Sequence, residues 1–142
     1  VQEPTVNSIQ TILIETPKWS FVKRNEHGEI DYVSPFPSPF DYGRLEGFTG
    51  GDGDPMDAIW LGTSLDAQRG SGYVVGVVRF VDCGATDDKW LLSDKLTVSK
   101  VNVWRLKYFF RVYAQAKNVL ELFRDRAINS KLTAIEIWAD IT

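Results

Sequence analysis

The sequence predicts a mainly β, α+β domain, a β-barrel or curled sheet with a C-terminal helix packed against it. Three observations lead there. Short β-branched segments recur through the first two thirds of the chain, separated by Gly, Pro and Asp. The stretch 101–126 holds no Gly or Pro and spaces its apolar residues as a helix does. The closing stretch 132–138 alternates apolar and polar residues again.

Taken in order, Ile9–Thr16 places Ile12 and Ile14 on one face and reads as a strand. Residues 21–24 and Ile30–Val33 are weaker strands joined by a turn at His27-Gly28. Prolines 35, 37 and 39 forbid helix and central strand, so 34–39 is an extended loop. The glycines between Asp41 and Asp54 predict a chain that turns often and packs its backbone closely. Residues 56–61 read as a buried strand. Residues 72–81 form the strongest strand, and 82–88 a polar turn that returns through a strand at 89–92. Leu106, Phe109, Phe110, Tyr113 and Leu120 mark the apolar side of one long helix or two.

The 142 residues suffice for a core, and no linker or repeat breaks them, so 1–142 is expected to be one domain. A net charge of -3 disfavours nucleic acid as the main partner, since phosphate backbones need clustered cations. Apolar runs fall short of the roughly 20 residues of a membrane span, so no membrane partner is expected. Cys83 stands alone, which excludes an intrachain disulfide and fits a reducing, cytoplasmic setting. The opening residues are neither basic nor followed by an apolar signal core, and the chain starts on Val1 rather than Met, so residues are expected upstream.

Asp52, Asp54 and Asp57 crowd a glycine-rich loop leading into a strand. Carboxylates this close repel unless cations neutralise them, and hard oxygen donors suit Mg²⁺ or Mn²⁺. Asp82, Asp87, Asp88 and Lys89 form a second group in the following hairpin. Two metals shared between the groups would clamp a phosphate and activate a water. Spacing alone favours the plainer alternative, a solvated Asp-Gly turn. An EF-hand loop does not fit, because Asp57 and Thr63 occupy its required Gly and Glu positions.

The run Asp52-Gly53-Asp54-Pro55-Met56-Asp57-Ala58 resembles the signature of the soluble family I inorganic pyrophosphatases. Ile14-Glu15-Thr16-Pro17-Lys18 is similar to that family's opening strand, and Asp41-Tyr42-Gly43 to its NYG turn, nine residues before Asp52. Gly76 to Asp82 followed by Asp87-Asp88-Lys89 resembles its metal-bearing hairpin, and Phe109-Phe110-Arg111-Val112-Tyr113 its helix motif. The likeness spans roughly residues 9 to 138.

The resemblance implies a five-stranded OB-like barrel and Mg²⁺-dependent hydrolysis of pyrophosphate to two phosphates, with Mn²⁺ or another divalent ion as a substitute. It implies Asp52, Asp57 and Asp87 as first-metal ligands and Asp82 as a ligand for metals arriving with substrate. Asp54 would take the proton from the attacking water, and Tyr42, Lys89 and Tyr113 would position water or hold phosphate oxygens, with Glu15 at the cavity edge. It implies a homo-oligomer, hexamer or dimer.

Departures from the pattern are equally specific. Ser34 stands where the family carries Arg, Ala114 where a Lys follows the helix tyrosine, and Ser38 where a tyrosine precedes the loop proline. Residues 21–24 do not match the family's KYE segment cleanly. Losing one charged phosphate contact costs about 2–4 kcal/mol, or roughly 10²–10³-fold in rate. The expectation therefore has three branches: a pyrophosphatase with altered kinetics, a hydrolase of a larger phosphoanhydride such as a nucleotide, or a metal- and phosphate-binding protein without turnover. Lys23, Arg24, Arg44 and Lys131 are the candidates to replace the missing cations, each more commonly a solvated surface charge. His27 is expected to be exposed, Cys83 to be a packed thiol, and the five tryptophans to be core or interface rather than a stacking surface.

Overall fold

The computed structural model describes residues 2–25, 27–33, 37–50, 53–65, 67–123 and 129–142. Asp52 and Ser34, both singled out from the sequence, lie outside these residues.

Five strands close into a ring: β1 (Ile9–Thr16), β4 (Asp41–Thr49), β5 (Pro55–Trp60), β8 (Lys89–Ser93) and β6 (Arg69–Asp82), with β6 pairing back onto β1. This is the predicted OB-like five-stranded barrel. β6 can serve three neighbours because it is 14 residues long. Its first part pairs β1, its middle pairs β8, and its end pairs β10 (Lys131–Ile137) and β7 (Ala85–Thr86). A short hairpin of β2 (Val22–Arg24) and β3 (Ile30–Val33) stands outside the ring, turned through Gly28 at φ 79°. The short strands β9 (Thr97–Val98) and β11 (Asp140–Ile141) pair in parallel, a contact that no local pattern announced.

α1 (Lys100–Phe123) is continuous over 24 residues. Ser99 caps it: the Ser99 hydroxyl accepts from the Asn102 backbone N–H at 3.1 Å, and its carbonyl accepts the first helical bond from Val103. Leu106, Phe110 and Ala114 form its buried stripe and pack on Phe40, Ile59, Val78, Phe80 and Leu91. A second cluster, with Ile12, Leu45, Ala58, Val77, Trp90 and Leu92, holds no helix residue and fills the barrel. Strand alternation separates the two. Trp90 and Leu92 point into the barrel, while Lys89 and Leu91 point to the α1 side. Asp57 and Ile59 obey the same alternation on β5. The sequence therefore places Asp57 and Lys89 on the face covered by α1, at the end where both parallel strands begin.

The expected frequent turning between Asp41 and Asp54 is corrected. Asp41–Thr49 is a nine-residue strand. Gly43 serves a close approach instead: a Cβ there would stand 2.9 Å from the Ile14 Cα and would collide with the Leu13 carbonyl. Gly47 takes φ 85° where the β4–β5 register shifts between Arg44 and Thr49, and Gly53 takes φ 86° in the turn before β5. Among the described residues no helix is long and apolar enough to cross a membrane.

Candidate active site

The parallel pairing of β5 with β8 sets Asp57 directly beside Lys89, although 32 residues separate them. The β4–β5 register sets Tyr42 beside Ile59. Asp87 arrives from the β7–β8 connection, where its N–H donates to the Phe80 carbonyl at 2.9 Å. The result is a compact polar cluster. Lys89 Nζ lies 2.6 Å from Asp57 Oδ2 and 2.7 Å from Asp87 Oδ2, and the Tyr42 hydroxyl donates to Asp57 Oδ2 at 2.8 Å. The Lys89 side chain is only 4% exposed, so two anions surround one buried ammonium.

The charges respond to this burial. Burial works against the Lys89 charge, but Asp57 and Asp87 outweigh it and hold its pKa above the ordinary lysine value. Burial pushes the Asp87 carboxyl up; Lys89 opposes the shift, and the neighbouring Asp57 and Asp82 add to it. Burial also raises Tyr42 well above its usual value, reinforced by Asp57.

Two cavities meet at Asp57 and Asp87. One, of about 190 Å³, is lined by Lys89, Tyr42, Glu15, Lys23, Tyr113 and Ser38 among others. The other, of about 550 Å³, opens toward Gly50, Pro55 and Thr86. Six site residues expected from the sequence, Glu15, Tyr42, Asp57, Asp87, Lys89 and Tyr113, thus line one cavity. Asp54 is exposed in the turn before β5 and lines neither cavity. Asp82 sits at the end of β6, outside both linings, with one carboxylate oxygen 2.8 Å from Lys117 Nζ. Burial raises the Asp82 pKa, but the hydrogen bond and charge of Lys117 outweigh it and leave the carboxyl below its ordinary value.

Lys117 was not legible as a site residue. It lies three residues beyond Ala114, one helical turn along the same side of α1, and its Nζ stands 5.7 Å from the centre of the Tyr113 ring. Ala114 is buried at 6% exposure against the barrel and leaves no place for a cation there. The signal for Lys117 was available as helical spacing, since i, i+3 and i+4 positions share a face. Of the cations considered as replacements, Lys23 lines the smaller cavity. Arg24 donates to the Gly28 carbonyl, Arg44 lines a separate groove, and Lys131 is exposed at the start of β10. His27 is exposed, as expected. Cys83 is exposed rather than packed, in the turn after β6, where its backbone takes φ 51°. Trp60 and Trp90 are core, whereas Trp19 and Trp104 are 58% and 64% exposed and so are not core.

The donor set fits a hard divalent cation. Asp57 and Asp87 offer carboxylate oxygens at the cavity, and Asp82, outside its lining, has Oδ1 buried without a hydrogen bond. Such an orphaned anionic oxygen is costly unless a cation meets it. Among the described residues no three acidic, His or Cys side chains already close into a metal cluster.

Comparison with known proteins identifies the family and the fold. The inorganic pyrophosphatase family profile matches residues 12–139. An inorganic pyrophosphatase of Streptomyces coelicolor is 32% identical over 129 residues, covering 72% of this chain and 75% of the relative. Two solved structures share the fold. The inorganic pyrophosphatase from Thermus thermophilus has a TM-score of 0.67 at 21% identity, covering 96% of this chain and 86% of its own. The one from Neisseria gonorrhoeae has 0.65 at 20% identity, covering 92% and 83%. The match extends over nearly the whole barrel and α1, and on it this chain belongs to the inorganic pyrophosphatase family.

Proposed function

We propose that this chain, acting as a single domain, hydrolyses inorganic pyrophosphate to two phosphates with a divalent metal, Mg²⁺ in the first instance. The observation that carries the reading is the meeting of Asp57, Asp87, Lys89 and Tyr42 in one cavity. Asp52, Asp57, Asp82 and Asp87 hold the metal in this reading. Bound there, the cation supplies Lewis acidity and lowers the pKa of a water. Asp54 accepts the proton as the water oxygen attacks phosphorus. The bridging P–O bond breaks and the second phosphate leaves with the electron pair. Lys89 and Tyr42 orient the phosphate oxygens, and Lys89 offsets charge on the leaving group. Tyr113 and Glu15 shape the cavity wall. The working protein is a cytoplasmic homo-oligomer.

A second reading, hydrolysis of another phosphoanhydride, is favoured by Ser38 in the cavity wall, where a larger side chain would narrow the site. Phosphate release from pyrophosphate with Mg²⁺, measured beside an Asp54→Asn control, tests the first reading. Release well above the control supports it. Equal release from both proteins removes the role of Asp54, and no release from either removes the hydrolytic reading.

A further inference from the structure

Beside the polar cavity lies a second one of about 220 Å³ with almost wholly apolar walls, made by Trp19, Pro37, Pro39, Tyr108, Phe109 and Val112, with Tyr113 shared. Phe109 and Tyr113 belong to both cavities. They form the boundary between a compartment holding Lys23, Lys89 and the carboxylates and one lined by aromatic rings. Each cavity alone is smaller than the roughly 300–1,000 Å³ that hold drug-sized ligands, and the two joined reach that range.

The aromatic compartment is held open by the backbone. Trp19 takes φ 66°, a conformation rarely adopted by a bulky residue. Two backbone hydrogen bonds keep it there, Trp19 N–H to the Ser38 carbonyl and Ser38 N–H to the Ser20 carbonyl at 3.2 Å. They tie the loop after β1 to the proline segment before β4. The indole remains 58% exposed and Tyr108 61% exposed. Tyr108 stacks one face on Trp104 at 5.5 Å, and Lys18 Nζ stands 5.9 Å over the Trp19 ring, so each ring offers a planar ligand its other face, at low entropic cost. Inorganic pyrophosphate has no group that needs them.

We infer that this compartment is a subsite for the base of a nucleoside 5′-diphosphate or triphosphate whose phosphates occupy the neighbouring polar cavity. The inference rests on the phosphoanhydride reading of that cavity and names its substrate class. The apolar walls recognise the base by stacking and leave its edges unread, so adenine and guanine bind alike. Ser38, in the wall of the polar cavity, is hydrogen-bonded to the loop that carries Trp19 and lies between Pro37 and Pro39 of the aromatic wall, so the ribose would lie across this segment.

A matched pair of non-hydrolysable ligands tests this: α,β-methylene-ADP against methylenediphosphonate, titrated into the protein by calorimetry in Mg²⁺. The nucleotide should bind about tenfold tighter, the effect of stacking one base. Trp19→Ala and Trp19→Ala/Tyr108→Ala should remove that advantage while methylenediphosphonate binding stays within twofold. Pyrophosphate hydrolysis should also be unchanged, since neither ring lines the polar cavity. Equal binding of the two ligands to the wild-type protein overturns the subsite, whatever the hydrolysis assay shows. An advantage that survives both variants overturns it too. A smaller particle on sedimentation, with the nucleotide advantage intact, assigns the rings to contact with a second copy and overturns it. Failure of the catalytic reading is separate, seen as no phosphate release.

Discussion

At the scale of single residues, Lys89 carries the largest consequence. Its ammonium separates two carboxylates at 2.6 and 2.7 Å, so its removal leaves like charges facing each other in a half-buried site. Breaking a buried pair costs about 3–5 kcal/mol. The partners are 30% and 37% exposed, which lowers the expectation for Lys89→Met to about 2–3 kcal/mol in metal-free protein. Mg²⁺ should restore more stability to the variant than it adds to wild type, because a cation can take the vacated position; urea unfolding with and without Mg²⁺ measures both. An equal Mg²⁺ effect in the two proteins would place the metal elsewhere. Lys117 makes a second case. If it supplies the cation missing at Ala114, Lys117→Gln should lower kcat/KM for pyrophosphate about a hundredfold. Lys131→Gln, at an exposed position, should change it less than about twofold. Comparable effects at both positions would reduce Lys117 to a surface charge.

At the scale of elements, strands and helix were readable because each follows a local period. Alternation exposed β1 and β10, β-branched density exposed β6, and the long run without Gly or Pro exposed α1. The exception was β4, where glycines suggested turning. Gly43 is there because β1 crosses too close for a Cβ, a tertiary cause that local sequence does not encode. Gly43→Ala should therefore destabilise by about 3 kcal/mol despite its mild chemistry, since backbone rather than a movable side chain stands in the way. Phe110→Ala, which empties the contact between α1 and the barrel, should cost about 3–5 kcal/mol. Chemical denaturation checks both. A Gly43→Ala protein as stable as wild type would mean that β1 and β4 can part without loss.

For the whole molecule, what the sequence could not display is pairing over distance. The motif around Asp57 and the hairpin before Lys89 were each visible, yet their contact depends on the parallel β5–β8 ladder, which no periodicity predicts. Helical spacing puts Lys117 on the side of Ala114, but its partner Asp82, 35 residues away on β6, lies beyond any local pattern. The barrel thus gathers acidic groups from three strand ends onto the face under α1, and folding alone must hold them together. A metal that binds only this gathered state stabilises the fold by mass action, by about 2.7 kcal/mol at a hundred times its dissociation constant. For a chain of 142 residues that corresponds to a rise in Tm of roughly 5–10 °C. Asp57→Asn should abolish most of the rise, because Asp57 stands between both cavities. Asp54→Asn should keep most of it, because Asp54 is exposed and outside both linings. A Tm indifferent to Mg²⁺ would remove the metal from the site. A rise lost equally in both variants would move the binding from the cavity mouth to the turn before β5.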